Sequence, residues 1–173
     1  KGFRAYVALC AFAGLRKGEA AAVQLRYIDF LRQTLTLSRQ LQRDGSTYVV
    51  RLPKYGSERV IYLPDELVKV LSEHVAAHLP GTELDDWLFT VGDGPMYDND
   101  ITWRWRATRN AAKLPHVRLH DPRHFYDSGL IAAGCDVVTV QRALGHSTAT
   151  TTLKPTATSG RPPRTAPERL PTT

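Results

Sequence analysis

Apolar side chains recur at helical spacing at the start of the chain, as Phe3, Tyr6, Val7, Cys10 and Ala11, and Gly14 stands where such a helix would stop. A turn through Leu15-Arg16-Lys17-Gly18 leads to a second helix over residues 19–23. The period then changes. Segments 34–38, 47–52 and 59–63 read as short strands, the first two separated by a turn containing Asp44-Gly45 and the last two by one containing Gly56-Ser57. They predict one three-stranded antiparallel sheet. Pro64-Asp65-Glu66 opens a helix whose apolar stripe is Leu67, Val68, Val70, Leu71, His74, Val75 and His78, and Pro80-Gly81 ends it. A loop over residues 92–98 precedes a helix over 99–113, where Trp103 and Trp105 alternate with Arg104 and Arg106. That alternation predicts packed tryptophans and arginines turned to solvent or to a phosphate backbone. A further helix has Asp121 as its N-cap and Pro122 at its first position, buries Phe125, Leu130 and Ile131, and stops at Gly134. Residues 136–144 form the next helix, ending in Gly145-His146, and a short one is expected over 148–153.

From Pro155 onward Pro, Thr, Arg and Ser replace the large apolar residues. Such a stretch cannot offset its own ordering entropy, so residues 154–173 are expected to be a disordered tail. Residues 1–153 read as one domain of the α+β class, mainly helical with a small sheet. The net charge of +6 and pI near 9.5 come from basic residues spread along the chain, among them Arg104, Arg106, Arg109, Lys113 and Arg118. A polyanionic partner is favoured, double-stranded DNA first. Cys10 and Cys135 lie in apolar helical contexts and make no disulfide framework, which suits buried thiols in a cytoplasmic protein. No apolar run approaches the length of a membrane span, and Lys1-Gly2-Phe3-Arg4 lacks the layout of a signal peptide. The chain opens without methionine and enters a helix almost at once, as a piece lacking its upstream part would.

The candidate chemistry centres on His120-Asp121-Pro122-Arg123-His124 and on Leu144-Gly145-His146. Arg123 falls in the first turn of a helix, where free N–H groups and the helix dipole favour an anion and a guanidinium adds a bidentate fork for phosphate oxygens. A structural alternative pairs Arg123 with Asp127 one turn on. Arg16 sits in an interhelical corner beside Glu19, either as a structural ion pair or as a second anion ligand. Lys54 and Tyr55 stand at the tip of the second hairpin, solvated or reaching a partner outside the fold. Metal binding is not expected: His74 and His78 are four apart but lack a third ligand, and Pro115 and the Asp121-Pro122 start prevent His116, His120 and His124 from sharing one helical face. No cofactor is implied.

Taken together, Ala13-Gly14-Leu15-Arg16-Lys17-Gly18-Glu19, Lys54 on a hairpin, His120-Asp121-Pro122-Arg123-His124 and Leu144-Gly145-His146 resemble the catalytic domain of tyrosine recombinases, the phage integrase family, in order and spacing over residues 1–153. The resemblance implies a mainly helical domain with a small antiparallel sheet, acting on DNA beside an N-terminal core-binding domain and alongside other recombinase protomers. It implies that Arg16 and Arg123 neutralise the scissile phosphate, that Lys54 protonates the leaving 5′-oxygen, that His120 transfers a proton and that His146 hydrogen-bonds the phosphate. DNA contacts are expected from Arg16, Lys54, Arg104, Arg106 and Arg123.

One part of the family pattern is missing. The nucleophilic tyrosine is expected at Pro155 or Thr156, and all seven tyrosines of the chain precede His146. A threonine hydroxyl is far less acidic than a phenol and a poorer leaving group. The expected function is therefore DNA binding without strand exchange. Two alternatives stand: a regulatory module that partners an intact recombinase, and a degenerate integrase fragment. Synonymous codons exist for Pro155 to Arg161 whose bases, read from the third position of the first codon, spell Tyr-Ser-His-Leu-Trp-Pro, a string resembling the family's nucleophile segment. A frameshift near Lys154 is the corresponding expectation.

Overall fold

The computed structural model describes residues 2–53, 57–79, 81 and 83–145. The chain begins with α1 (Phe3–Phe12) and α2 (Lys17–Ala21), followed by a single 3₁₀ turn at Leu25–Tyr27. Five short strands come next: β1 (Ile28–Asp29), β2 (Thr34–Leu37), β3 (Gln40–Asp44), β4 (Thr47–Arg51) and β5 (Arg59–Tyr62). Then α3 (Asp65–His78), a minimal hairpin of β6 (Thr90–Val91) and β7 (Gly94–Pro95), α4 (Asp98–Ala111), α5 (Asp121–Ala132) and α6 (Val137–Leu144) complete the described chain.

Helix α1 lies at the centre, packed against α2, α3 and α5. Its Tyr6 and Leu9 are fully buried; Tyr6 stacks on Phe3 at 5.0 Å, meets Phe89 edge-on at 5.3 Å, and donates its hydroxyl hydrogen to the Lys17 carbonyl at 2.9 Å. Leu35, Leu67, Leu71, Leu88 and Ile101 join the same core. Full burial of a side chain of this size stabilises by about 1.5–3 kcal/mol, which holds α3 and α4 in place around α1.

The three-stranded antiparallel sheet has the order β1-β2-β5, with Leu35 opposite Ile61 and Thr34 opposite Tyr62. Alternation turns Leu35, Leu37 and Ile61 inward and leaves Thr36, Val60 and Tyr62 exposed. The expected strand order needs correction: segment 47–51 does not join this sheet but pairs with Gln40–Asp44 in a separate hairpin closed at Asp44↔Thr47. Its partner strand is mostly polar, so no hydrophobic alternation announced it. Strands β4 and β5 belong to different sheets and form no ladder with each other, and Lys54, which follows β4 in the sequence, lies outside the described residues.

Several local expectations also change. Asp121 does not cap α5: His120 is the N-cap, Asp121 and Pro122 are the first two helical residues, and the Asp121 carboxylate accepts the Arg118 N–H at 2.7 Å. Phe125 and Ile131 are exposed because the face of α5 turned to α1 is the one carrying Arg123. Of the two tryptophans on α4 only Trp105 packs, donating its indole N–H to Val117 O at 3.2 Å; Trp103 is exposed, since residues two apart on a helix point in opposite directions. Cys10 is buried, and burial pushes its thiol up to about 12, whereas Cys135 sits half-buried between α5 and α6. The expected helix over 148–153 and tail over 154–173 lie outside the described residues.

The β3–β4 hairpin is held against the helices at two points. Tyr48 stacks on Tyr97 at 4.5 Å, and the backbone of α2 meets Leu41 O so closely at Gly18 that a Cβ there would overlap the carbonyl oxygen. Gly18→Ala must therefore separate α2 from β3, and the expected loss is about 1–3 kcal/mol in a urea unfolding midpoint; an unchanged midpoint contradicts the contact.

Candidate functional site: an arginine cluster around Glu19

Glu19 is the third residue of α2, and its carboxylate reaches back to accept the backbone N–H of Arg16 at 2.9 Å, the acidic half of a capping box. The same carboxylate, with no exposed side-chain surface, is surrounded by three guanidiniums. Arg16 donates to Oε1 at 2.9 Å, Arg59 donates to both oxygens at 3.2 and 3.0 Å, and Arg123 stands 4.0 Å from Oε2. Burial by itself would raise the Glu19 pKa, but the hydrogen bond and charge of Arg59, followed by the backbone and charge of Arg16, bring it below the ordinary value.

The three arginines also share a second target. Arg59 Nε donates to Ala143 O at 2.9 Å, Arg123 Nη2 to Leu144 O at 2.7 Å and Arg16 Nη2 to Gly145 O at 2.7 Å. Three successive carbonyls at the C-terminus of α6, the negative end of its dipole, thus each accept one guanidinium. Arg123 Nη1 further donates to Gly14 O. Gly145 makes the approach possible twice over: its φ is +61°, and a Cβ there would lie 2.7 Å from Ser57 Cβ and 2.8 Å from Arg59 Nη1.

Arg16 and Arg123 are therefore brought together by α2 and α5, on adjacent carbonyls of α6. Arg16 keeps 25% of its side-chain surface exposed while Arg123 keeps 2%, so the face open to a ligand is the Arg16 side. Burial, and then the neighbouring Arg16 charge, lower Arg123 to about 10, partly offset by Glu19; it remains cationic at neutral pH. Asp127 is not its partner: that carboxylate lies 3.5 Å from His124 Nδ1. His120 keeps an exposed edge at the start of α5, its ring meeting that of His124 edge-on at 4.4 Å. Partial burial, then the charges of His124, Arg123 and Arg16, hold its pKa below the ordinary histidine value against the opposing effect of Asp121.

Other expected residues fall elsewhere. Arg104 lines a cleft with Gly2, His74 and His78, and Arg106 is exposed on α4, so neither joins the cluster. His74 is buried, its Nε2 2.8 Å from Leu88 O, and among the described residues no group of three or more His, Cys, Asp or Glu side chains could hold a metal. Lys54 and His146 lie outside the described residues. Arg59 was not anticipated. The signal was available: Arg59, Ile61 and Leu63 share one face of a strand by period two, and a charge on the inward face of a strand calls for a buried partner.

The phage integrase family model matches residues 3–157, and the chain belongs to that family. It is 29% identical over 160 residues to the integrase assigned to prophage phiRv2 of Mycobacterium tuberculosis, covering 88% of this chain and 41% of that protein. It is 27% identical over 159 residues to the ICEBs1 integrase of Bacillus subtilis, covering 87% and 43% respectively. Among solved structures, the Tn1549 transposon integrase in complex with a circular intermediate DNA superposes with a TM-score of 0.72 at 24% identity, over 87% of this chain and 52% of that one. XerA recombinase gives a TM-score of 0.69 at 22% identity, over 87% and 51%. The chain thus spans about two fifths of the length of the curated relatives it matches. These neighbours share the mixed architecture of helices and small antiparallel sheets.

Removing the charge of Glu19 leaves buried guanidiniums uncompensated, so Glu19→Gln is expected to cost about 3–5 kcal/mol in chemical denaturation. The pH dependence follows from the lowered pKa. The stabilisation is present above the unfolded-state value of a glutamate and is lost as pH falls through the lower folded-state value, a loss that the Gln variant no longer shows. An equal acid dependence in both proteins refutes this account.

Proposed function

We propose that this chain is the DNA-binding catalytic domain of an integrase-type recombinase that grips a backbone phosphate through Arg16 and Arg123 and does not exchange strands. The observation that carries this reading is the convergence of Arg16, Arg59 and Arg123 around a single carboxylate, with Arg16 partly open to solvent. A phosphodiester approaching a pentacoordinate transition state concentrates negative charge on its non-bridging oxygens, and cations held in advance at that place lower the barrier without a metal. In this reading His120 moves a proton at the edge of the same site, Lys54 serves the leaving 5′-oxygen and His146 hydrogen-bonds the phosphate. Arg104 and Arg106 supply contacts to phosphates away from the reacting centre.

Covalent chemistry requires a phenol that the sequence does not supply near Pro155–Thr156. Tyr126 stands three residues from Arg123, but its ring packs against Gly14 and burial raises its pKa, the opposite of what a nucleophile needs. The bases encoding Pro155 to Arg161 decide whether a frameshift removed the expected tyrosine: an alternative frame without Tyr-Ser-His-Leu-Trp-Pro rules it out.

Fluorescence anisotropy with duplex DNA tests the binding. Affinity is expected to fall steeply with salt, and Arg16→Ala is expected to weaken it about tenfold and reduce the log–log salt slope by about 1. Binding that ignores salt, or that Arg16→Ala leaves untouched, overturns the site. A nicked suicide substrate is expected to trap no covalent protein–DNA adduct; an adduct mapped to Tyr126 or any other tyrosine overturns the inactivity.

A further inference from the structure

The carboxylate of Asp127 is not accounted for by the arginine cluster. Its side chain keeps 17% of its surface exposed, one of its oxygens faces His124 Nδ1 at 3.5 Å, and the other, Oδ1, is buried with no hydrogen-bond partner among the described residues. Arg123, the nearest guanidinium by sequence, spends its described hydrogen bonds on Gly14 O and Leu144 O instead. A carboxylate in such a place costs stability, and burial raises its pKa, against the opposing charges of Arg123 and His124. It therefore calls for a role other than structural pairing with arginine.

The geometry supplies one. Because α5 begins at Asp121 with His120 as its N-cap, His120, His124 and Asp127 follow one another at spacings of four and three residues and stack along one face. The His120 and His124 rings meet at 4.4 Å with an interplanar angle of 83°, and His124 in turn meets the carboxylate. We infer that Asp127 is a positioning residue for His120: it fixes the ring orientation and proton-bearing nitrogen of His124, whose ring is the wall against which His120 is set at the edge of the phosphate site.

A carboxylate at Nδ1 selects the imidazole tautomer that carries its proton there, and leaves Nε2 as the acceptor. The charged groups around the pair are Arg123 and Asp121 on α5 and Arg16 at the start of α2, with Tyr126 beside Asp127 and Arg59 and Cys135 reaching Tyr126 from β5 and from the α5–α6 connection. None of these offers a second acceptor to His124 Nδ1 among the described contacts. His124 is also, after partial burial, the largest cause lowering the His120 pKa, so what holds His124 bears directly on the proton that His120 carries.

The inference rests on the proposed function only for the part His120 plays toward phosphate, and its test separates the two. Long-range ¹H–¹⁵N spectra of the uniformly labelled full chain, without DNA, should show neutral His124 protonated at Nδ1. Asp127→Ala should move that proton to Nε2, the tautomer favoured in water, and His124→Gln should move the His120 titration midpoint upward. Asp127→Ala removes a half-satisfied carboxylate, so folding is preserved, and the dispersion of the same spectra checks it. With DNA present, Asp127→Ala should alter the pH profile of affinity across the His120 titration while leaving the salt slope at fixed high pH unchanged. An Nε2–H tautomer of His124 in the unmodified chain overturns the inference. So does a His120 midpoint unmoved by His124→Gln, or a pH profile unmoved by Asp127→Ala when the unmodified chain binds DNA. A chain that binds no DNA overturns the proposed function, and the spectra alone then decide whether Asp127 sets the two imidazoles.

Discussion

The structure around the site depends on one buried carboxylate. Glu19 accepts hydrogen bonds from Arg16 and Arg59 and stands within 4.0 Å of Arg123, so it offsets part of the mutual repulsion of three guanidiniums packed together. Without it the cluster would combine like-charge repulsion with the desolvation of Arg123, whose side chain is almost wholly buried. One carboxylate against three cations leaves the cluster with excess positive charge. In the proposed function, that excess is what an incoming phosphate would meet, already oriented and desolvated on its inner side.

The same three arginines bind the end of α6 to the rest of the domain. Ala143, Leu144 and Gly145 present consecutive carbonyls that no helix residue can satisfy, and each takes one guanidinium. The arrangement links the site to packing in a direct way. Displacing α6 would free arginine donors, and altering an arginine would orphan a carbonyl. At the other end of α6, the Asp136 side chain accepts the N–H groups of Val138 and Thr139 at 2.9 and 3.0 Å, so the helix is capped by its own sequence at its start and by distant residues at its end.

The first turns of α5 show how one short segment serves several demands. Its Arg123 side chain turns inward toward α1 and α6, while His120, His124 and Asp127 stack along another line of the same helix. Phe125 remains exposed, meeting Phe12 edge-on at 6.2 Å. The amphipathic logic of an ordinary surface helix is therefore inverted here: a cation takes the buried face and an aromatic ring the open one. Burying a cation is tolerable here because its described hydrogen bonds end on backbone oxygens and the Glu19 carboxylate stands 4.0 Å away.

Local sequence decided a good deal of this. Helical periodicity placed α1, α3 and α4 within a few residues of where they lie, and Gly14, Gly134 and Gly145, all with positive φ, ended or followed helices as expected. The motifs around Arg16 and Arg123 were visible because capping residues, glycines and basic side chains fall at short, regular spacings. Packing decided the rest. Whether segment 47–51 pairs with β3 or with β5, and whether Trp103 or Trp105 is covered, depends on which face meets the core, and alternation alone leaves that open. Apart from the Arg16–Glu19 pair, three residues apart and legible in the sequence, the arginine cluster belongs to this second kind. Its hydrogen bonds join residues separated by 40, 109 and 129 positions, Arg59 to Glu19, Arg123 to Gly14 and Arg16 to Gly145. Such pairings leave no periodic trace in a single sequence, because they arise only when the core has brought α2, β5, α5 and the end of α6 to one point.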